Sequence, residues 1–145
     1  MDAHRAGGLT REALRERLRG RALRVTRPRL ALLEALATHP HSRADELAEI
    51  CAARGAALPR ATLFNTLNVL SRAQIIEVSA TGPGRPRYEI RVEPHHHLVC
   101  RVCGHVCDVQ LDQAPNVPSD WRAPAGWQLE ETAVTLRGLC PDCRD

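Results

Sequence analysis

The chain of 145 residues is long enough for one domain or two very small ones, and it contains no apolar run of membrane-spanning length. Its charged N-terminus lacks the apolar segment of a secretion signal, so the protein is expected to be soluble and cytoplasmic. Residues 1–91 carry 16 Arg against 9 acidic residues, whereas residues 92–145 carry 4 Arg against 8. The first part is therefore expected to contact a polyanion, with an ordinary solvated surface as the alternative.

Four helices are predicted in the first 73 residues, because apolar residues recur there at helical spacing between capping and breaking residues. The first is Thr10–Arg19, with Leu14 and Leu18 on one face, and the second is capped by Thr26 and has Pro28 in its first turn. The third is capped by Ser42 or Asp45 and ends at Gly55. The fourth, Arg60–Ala73, follows Pro59 and has Leu63, Leu67 and Leu70 on one face.

The pattern then changes from helical to extended. Ile75–Val78 and Arg87–Val92 read as two strands, with the basic tip Thr81–Pro86 between them. Helices followed by a basic hairpin are typical of a winged helix, whose fourth helix enters the DNA major groove. Arg85 and Arg87 are expected to reach phosphates or the minor groove. The alternative is a small helical bundle with an unrelated hairpin.

The remaining third of the chain predicts a second, smaller unit. Pro94 marks a hinge between the basic and acidic parts, and three strands are expected beyond it, at Leu98–Cys100, Val106–Val109 and Trp127–Leu136. Three prolines between the last two strands allow only a short helix there. The fold class is therefore α+β, with domains at residues 1–91 and 92–145.

Four cysteines in two C-x-x-C pairs predict a closed metal site. Cys100 and Cys103 form one pair and Cys140 and Cys143 the other, which suits one tetrahedral structural zinc ion per chain. Two disulfides or reduced core thiols are the alternatives. Cys51 and Cys107 are expected in the core.

A second set of residues combines imidazoles with carboxylates. Its members are His41, Glu89, His95, His97 and Asp108. On an extended segment His95 and His97 point the same way and can share an ion, while His96 faces the opposite side. This donor set favours iron(II), manganese(II) or zinc. The alternative is a loop histidine and a polar surface run.

Six motifs lie between about Leu14 and Cys143: Leu23–Arg29, His41 with Ala44–Leu47, Ala61–Leu67, Tyr88–Glu89, His95–Gly104 and Gly138–Cys143. Together they resemble the ferric uptake regulator family of metal-dependent bacterial transcription repressors. This resemblance covers almost the whole chain.

The resemblance implies a homodimer that binds a palindromic duplex operator, with no membrane and no small-molecule substrate. It implies a C-terminal α/β dimerisation domain with zinc on the four paired cysteines. A regulatory iron(II) or manganese(II) ion, one per chain, is expected at the interdomain hinge on His41, Glu89, His95, His97 and Asp108. Metal would act as corepressor.

Residues expected to contact DNA are Arg24, Arg60, Thr62, Phe64, Asn65, Arg85 and Arg87. The family usually has tyrosine and then a basic residue at the positions of Phe64 and Asn65, so the operator sequence is open. A further metal site of many members retains only His96, since Thr132 replaces its last ligand, and no third ion is expected.

Several alternatives stay open at this stage. A zinc-responsive regulator of the same family is one, although such members tend to place a cysteine among the hinge ligands. Asp108, where iron sensors often have glutamate, resembles the peroxide-sensing branch, in which bound iron(II) oxidises its own histidine ligands. A zinc-dependent hydrolase lacks an H-E-x-x-H helix. A zinc-ribbon RNA-binding module would have few aromatic side chains for base stacking. An enzyme is therefore not expected.

Overall fold

The computed structural model describes residues 8–78, 84–92, 95–112, 117–118 and 120–144. Its regular elements, in chain order, are α1 Arg11–Gly20, α2 Arg27–Thr38, β1 Ser42–Arg43, α3 Ala44–Ala53, α4 Arg60–Arg72, β2 Ile76–Val78, β3 Arg87–Ile90, β4 His96–Cys100, β5 Val106–Val109 and β6 Thr135–Gly138. None of the described helices is both long and apolar enough to cross a bilayer.

Helices α1 and α2 begin where the sequence predicts. Thr10 precedes α1, and its side-chain oxygen accepts a hydrogen bond at 3.1 Å from the amide three residues on, which satisfies one free N–H of the first turn. Thr26 precedes α2 without such a bond, and Pro28 lies in the first turn, where a missing N–H is tolerated. Leu14 and Leu18 of α1 are both buried, as their spacing predicts.

Helix α3 begins differently from the prediction. Its N-cap is Arg43 rather than Ser42 or Asp45, and the Arg43 backbone N–H donates to Glu46 Oε2 at 2.8 Å. The Ser42 hydroxyl instead donates to His39 O at 2.6 Å. The pairing of β1 with β3 explains the difference, because it takes Ser42 into a strand.

The end of α3 and the whole of α4 confirm the predictions. Gly55 follows α3 with φ 73°, a left-handed conformation that glycine adopts without strain. Pro59 precedes α4, as predicted. Leu63, Leu67 and Leu70 are buried along one face of α4.

The first sheet completes the winged helix. Its strand order is β1-β3-β2 and all pairs are antiparallel. The return strand is shorter than predicted and ends at Ile90, which pairs with Ile76 in the core. The predicted tip lies partly outside the described residues, as does the predicted hinge residue Pro94.

The second sheet has the order β5-β4-β6, with β5 antiparallel and β6 parallel to β4. The predicted strand Trp127–Leu136 is wrong over most of its length, since β6 spans only Thr135–Gly138. The reason is that β4 begins at His96, and among the described residues no strand lies opposite the chain before Val134. Near Pro118 and Pro124 the described chain forms turns.

The two parts of the chain differ in their apolar cores. The main cluster of buried apolar residues runs from Leu14 to Ile90, and burying each large side chain fully contributes about 1.5–3 kcal/mol. Among the described residues beyond it, only Val99, Cys100 and Val106 are buried apolar positions. A unit with so small a core usually needs a metal or a partner chain to fold.

Candidate metal centres and DNA-binding surface

The four paired cysteines lie together at one end of the second sheet. Parallel pairing sets Cys100 of β4 opposite Gly138 of β6, so the turns that follow the two strands lie side by side. All four Sγ atoms lie within 4.8 Å of one another, and none is in a disulfide. The Cys103 and Cys140 sulfurs are 3.7 Å apart. Zn–S bonds of about 2.3 Å give a tetrahedral edge of ~3.8 Å, so the cluster fits zinc.

The thiols of this cluster differ in acidity. Backbone N–H groups of Cys103, Cys140 and Val102 lower the pKa of Cys100 to about 6. The adjacent Cys140 thiol and burial raise the pKa of Cys143 to about 12. One thiolate is therefore favoured, whereas several together are costly unless a cation neutralises them. Metal binding at these cysteines must expel protons.

The five predicted regulatory ligands converge between the two sheets. Glu89 lies on β3, His97 on β4 and Asp108 on β5, while His41 and His95 immediately precede β1 and β4. The register of β4 with β5 pairs His97 directly with Asp108. Strand alternation turns His95 to the same side as His97. We call these five residues the hinge cluster.

The two carboxylates lie at the centre of the hinge cluster. Glu89 Oε2 is 2.8 Å from His41 Nε2, and Glu89 Oε1 is 2.8 Å from His97 Nε2. Asp108 Oδ1 is 2.9 Å from His41 Nε2 and 3.3 Å from His95 Nε2. Ligand atoms bonded to a metal at about 2.1 Å and at right angles lie ~3.0 Å apart. These separations suit one divalent ion.

His95 belongs to two sets of donor atoms. Donor atoms of His41, Glu89, His97 and Asp108 all lie within 4.8 Å of one another. His95 Nε2 is 3.2 Å from Glu89 Oε1 and 3.3 Å from Asp108 Oδ1, so the structure brings all five predicted ligands together. His95 also forms a group with Glu89 and with Glu77, a residue for which the sequence predicts no role.

Burial and hydrogen bonding shift the acidity of the hinge cluster. The Glu89 side chain is fully buried, which would raise its pKa, but bonds from His41, His95 and His97 hold the pKa of that carboxyl well below its usual range. Burial lowers the pKa of His41, yet Asp108 and Glu89 outweigh this effect and raise it to about 9. A proton on His41 therefore holds the carboxylates together, and a divalent ion must displace it.

His96, Cys51 and Cys107 are histidine and cysteine residues outside both metal-ligand clusters. His96 Nδ1 accepts a hydrogen bond from the Val134 amide at 3.0 Å, away from the hinge cluster. Cys51 is buried in the helical core, as predicted. The prediction that Cys107 is in the core is wrong, because β5 is an edge strand; the residue is half-buried, and its Sγ lies 3.4 Å from His105 Nε2.

Arg87 supports the backbone of His41. His41 has φ 59°, a left-handed conformation that costs a non-glycine residue of order 1–3 kcal/mol. The Arg87 Nη1 donates to His41 O at 3.0 Å, and the Arg87 side chain is only 17% exposed. This guanidinium is therefore occupied within the protein, and its surroundings do not favour the predicted contact with DNA.

Other predicted DNA contacts lie on the surface. Arg60, Phe64 and Asn65 project from α4, and the Arg60 guanidinium lies 5.2 Å from the centre of the Phe64 ring. That distance allows a cation–π contact, which fixes the arginine over an exposed aromatic ring. Arg24 and Arg85 are exposed and Thr62 is half-buried. A groove of about 580 Å³ separates this face of α4 from the wing.

A winged helix with an exposed basic recognition helix, joined to two clusters of metal-ligand side chains, defines a metal-binding transcriptional regulator. The profile of the ferric uptake regulator family matches residues 20–137. The transcriptional regulator FurA of Mycobacterium tuberculosis (strain ATCC 25618 / H37Rv) is 40% identical over 134 residues, covering 88% of each chain. The chain belongs to the ferric uptake regulator family and is a metal-dependent DNA-binding regulator.

Two further comparisons agree with this assignment. The peroxide-responsive repressor PerR of Staphylococcus saprophyticus is 28% identical over 129 residues, which cover 88% of this chain and 87% of the relative. The crystal structure of the ferric uptake regulator of Vibrio cholerae has a TM-score of 0.65 and 27% identity, covering 87% of this chain and 98% of that chain.

The sequence does not predict that Arg87 and Glu77 lie beside the hinge cluster. From the sequence, Arg87 is expected on the wing, and Glu77 is one residue of a short strand. Counting back from the hairpin tip would pair Glu77 with Glu89 only if the length of the tip were known. Period-two alternation alone does not supply that length.

Replacing Arg87 tests its support of His41. In Arg87→Gln, backbone amides at residues 41–44 should exchange hydrogen at least about 10-fold faster, because a charge-assisted hydrogen bond of about 1.5–3 kcal/mol is lost. Hydrogen exchange followed by mass spectrometry measures this rate. Arg72→Gln, which removes an exposed arginine in the last turn of α4, is the control. Unchanged exchange at residues 41–44 contradicts the assignment.

Proposed function

We propose that this protein is a homodimeric repressor in which one iron(II) or manganese(II) ion per chain, on His41, Glu89, His95, His97 and Asp108, controls binding to a palindromic operator. One observation carries the proposal. Donor atoms from the winged helix and from the second sheet meet within 4.8 Å in a largely buried cluster. A structural zinc ion, one per chain, would occupy the four paired cysteines. The protein would act in the cytoplasm, where the chromosome lies, and not as an enzyme.

The hinge cluster would set the angle between two domains, residues 1–91 and 92–145. His41 and Glu89 belong to the first, whereas His97 and Asp108 belong to the second. A bound divalent ion supplies the positive charge that neutralises both buried carboxylates. The four side chains can meet only when the domains are close together, so ligation selects one arrangement. A coupling of about 3 kcal/mol changes affinity for DNA ~150-fold.

The composition of the hinge cluster supports iron(II) or manganese(II). Three imidazoles and two carboxylates are ligands of intermediate and hard character. Among the described residues, Cys51 and Cys107, which are in no disulfide, are in neither group that contains hinge ligands. A zinc-responsive regulator, which would gain from a thiolate, is therefore less favoured.

The exposed face of α4 supports contact with duplex DNA. The recognition helix would place Arg60, Thr62, Phe64 and Asn65 in the major groove, with Arg24 and Arg85 on phosphates. Phe64 offers an apolar ring that suits a thymine methyl group. Arg87 is assigned to His41 instead. Because the arginines displace counterions, binding should weaken steeply with salt.

Exposed apolar side chains on the second sheet support dimerisation. Leu98 and Leu136 pair across β4 and β6, and they are 39% and 41% exposed. Leu139 and Val102 extend this apolar surface beside the cysteine cluster with 39% and 57% exposure. A second copy of the chain would cover these side chains and compensate for the small core of the unit.

Peroxide sensing is a second candidate within the same class. Asp108 is the observation that favours it, together with the similarity to a peroxide-responsive repressor. Iron(II) bound at the hinge cluster would bring the oxidant next to two histidine rings. His41 and His95 both lie within 3.3 Å of Asp108 and would be the residues modified.

His97→Ala tests the regulatory site. Manganese(II) should tighten wild-type binding about 100-fold to a duplex selected from a random library by the manganese-loaded protein, since coupling between sites is typically 1–3 kcal/mol. Fluorescence anisotropy measures the affinity. His97→Ala should lose most of this gain, while His105→Ala, an exposed histidine outside the hinge cluster, should keep it. An unaltered response in His97→Ala contradicts the site.

Replacing both leucines of the second sheet tests the dimer. Leu98→Glu with Leu136→Glu should give a monomer, because four carboxylates would face one another across the interface at a prohibitive cost. Native mass spectrometry reads the subunit number and the zinc content together. Val78→Glu, an exposed valine on the wing strand, is the control and should remain dimeric. A monomeric wild-type protein refutes the proposed assembly.

Oxygen incorporation tests peroxide sensing. Iron-loaded protein treated with dilute peroxide should gain one oxygen atom on the peptide containing His41 or His95, and manganese-loaded protein should gain none. Peptide mass spectrometry identifies the position. Equal oxidation with either metal, or none with iron, removes this candidate and leaves the metal-dependent repressor intact.

A further inference from the structure

Two glutamates face each other beside the hinge cluster. The register of β2 with β3 pairs Glu77 directly with Glu89. Opposed residues on antiparallel strands turn their side chains to the same face, and like charges in that position are destabilising. The Glu89 side chain is fully buried and the Glu77 side chain is 30% exposed. A cation near both carboxylates would remove this repulsion.

His95 provides a third donor to the same space. One donor atom each of Glu77, Glu89 and His95 lie within 4.8 Å of one another. Arg91 forms an ion pair with Glu77, and the distance from Arg91 Nη1 to Glu77 Oε2 is 3.9 Å. The Nη2 atom of Arg91 lies closer to another carboxylate, at 3.0 Å from Glu131 Oε2. Arg91 therefore neutralises Glu77 only in part.

Glu77 is not in the group of donor atoms formed by His41, Glu89, His97 and Asp108. Its own group contains Glu89 and His95, so Glu89 belongs to both groups. A carboxylate has two oxygens and can be shared between two ions, as in sites with metals about 3.5–4 Å apart.

We propose that Glu77, Glu89 and His95 form an accessory site for a second divalent cation of the manganese(II) or iron(II) class. It rests on the proposed function in sharing Glu89 with the regulatory site. Because His95 Nε2 has one lone pair and ligates one ion at a time, His95 ligates the accessory ion when both ions are bound. His41, Glu89, His97 and Asp108 then hold the regulatory ion. Glu77 is the ligand of this site that reaches solvent, since its side chain is 30% exposed, whereas the side chains of His95 and Glu89 are 7% and 0% exposed.

Manganese(II) titration of the zinc-loaded, full-length protein tests the accessory site. Native mass spectrometry counts the ions, and electron paramagnetic resonance detects coupling between two neighbouring manganese ions. Wild type should bind two manganese(II) ions per chain with a coupled spectrum. Glu77→Gln should bind one, with an uncoupled spectrum. Glu131→Gln, which removes the outer carboxylate that contacts Arg91 but no cluster ligand, should still bind two.

The outcomes separate this proposal from the regulatory site itself. If wild type and Glu77→Gln each bind one ion with equal affinity, the accessory site is wrong and the regulatory site stands. If His97→Ala retains an ion that Glu77→Gln loses, the accessory site is supported. If wild type binds no manganese(II) beyond zinc, both proposals fail. The zinc content of each variant verifies that it has folded.

Discussion

The structure depends on the fully buried carboxylate of Glu89. A buried anion is tolerable only when it is paired, and here three histidines supply the partners. One of them, His41, precedes the third helix of the winged helix, and another, His97, lies on the second sheet. His41 pairs with Glu89 within the first part of the chain, whereas His95 and His97 come from the second part, so the complete set of partners is assembled only when the two parts meet. In the proposed function, this dependence would be the physical basis of metal-dependent DNA binding.

The two parts of the chain differ in how many apolar side chains they bury. The helices and the first sheet share a large apolar core, so the DNA-binding surface is formed by packing alone. The second sheet buries few apolar side chains and holds four free cysteines at its end. Its folding would draw on zinc and on the partner chain. In the proposed function, a well-packed winged helix joined to a zinc-stabilised unit would be suited to changes of angle without changes of fold.

Helix spacing and ligand chemistry were predictable from the sequence because both are local. Leu14 with Leu18, the two C-x-x-C pairs, and the selection of His95 and His97 over His96 all follow from short-range periodicity. Features set by pairing between distant segments were not predictable. The N-cap of α3 is Arg43 rather than the predicted Ser42 or Asp45, because β1 pairs with β3. The strand expected at Trp127–Leu136 is shorter in the structure, because no described strand lies opposite most of it. The position of Glu77 beside the hinge cluster depends on its pairing with Glu89 across β2 and β3, which the sequence does not specify.

Anomalous X-ray diffraction at the manganese absorption edge, on crystals of the zinc- and manganese-loaded protein, tests the central claim most directly. The account predicts that the strongest manganese peak lies among His41 Nε2, His97 Nε2 and the carboxylates of Glu89 and Asp108. Such a peak would show one ion held jointly by the winged helix and the second sheet. A strongest peak that lacks His41, or that lacks both His97 and Asp108, contradicts the account, because an ion held by one part alone cannot fix the angle between them.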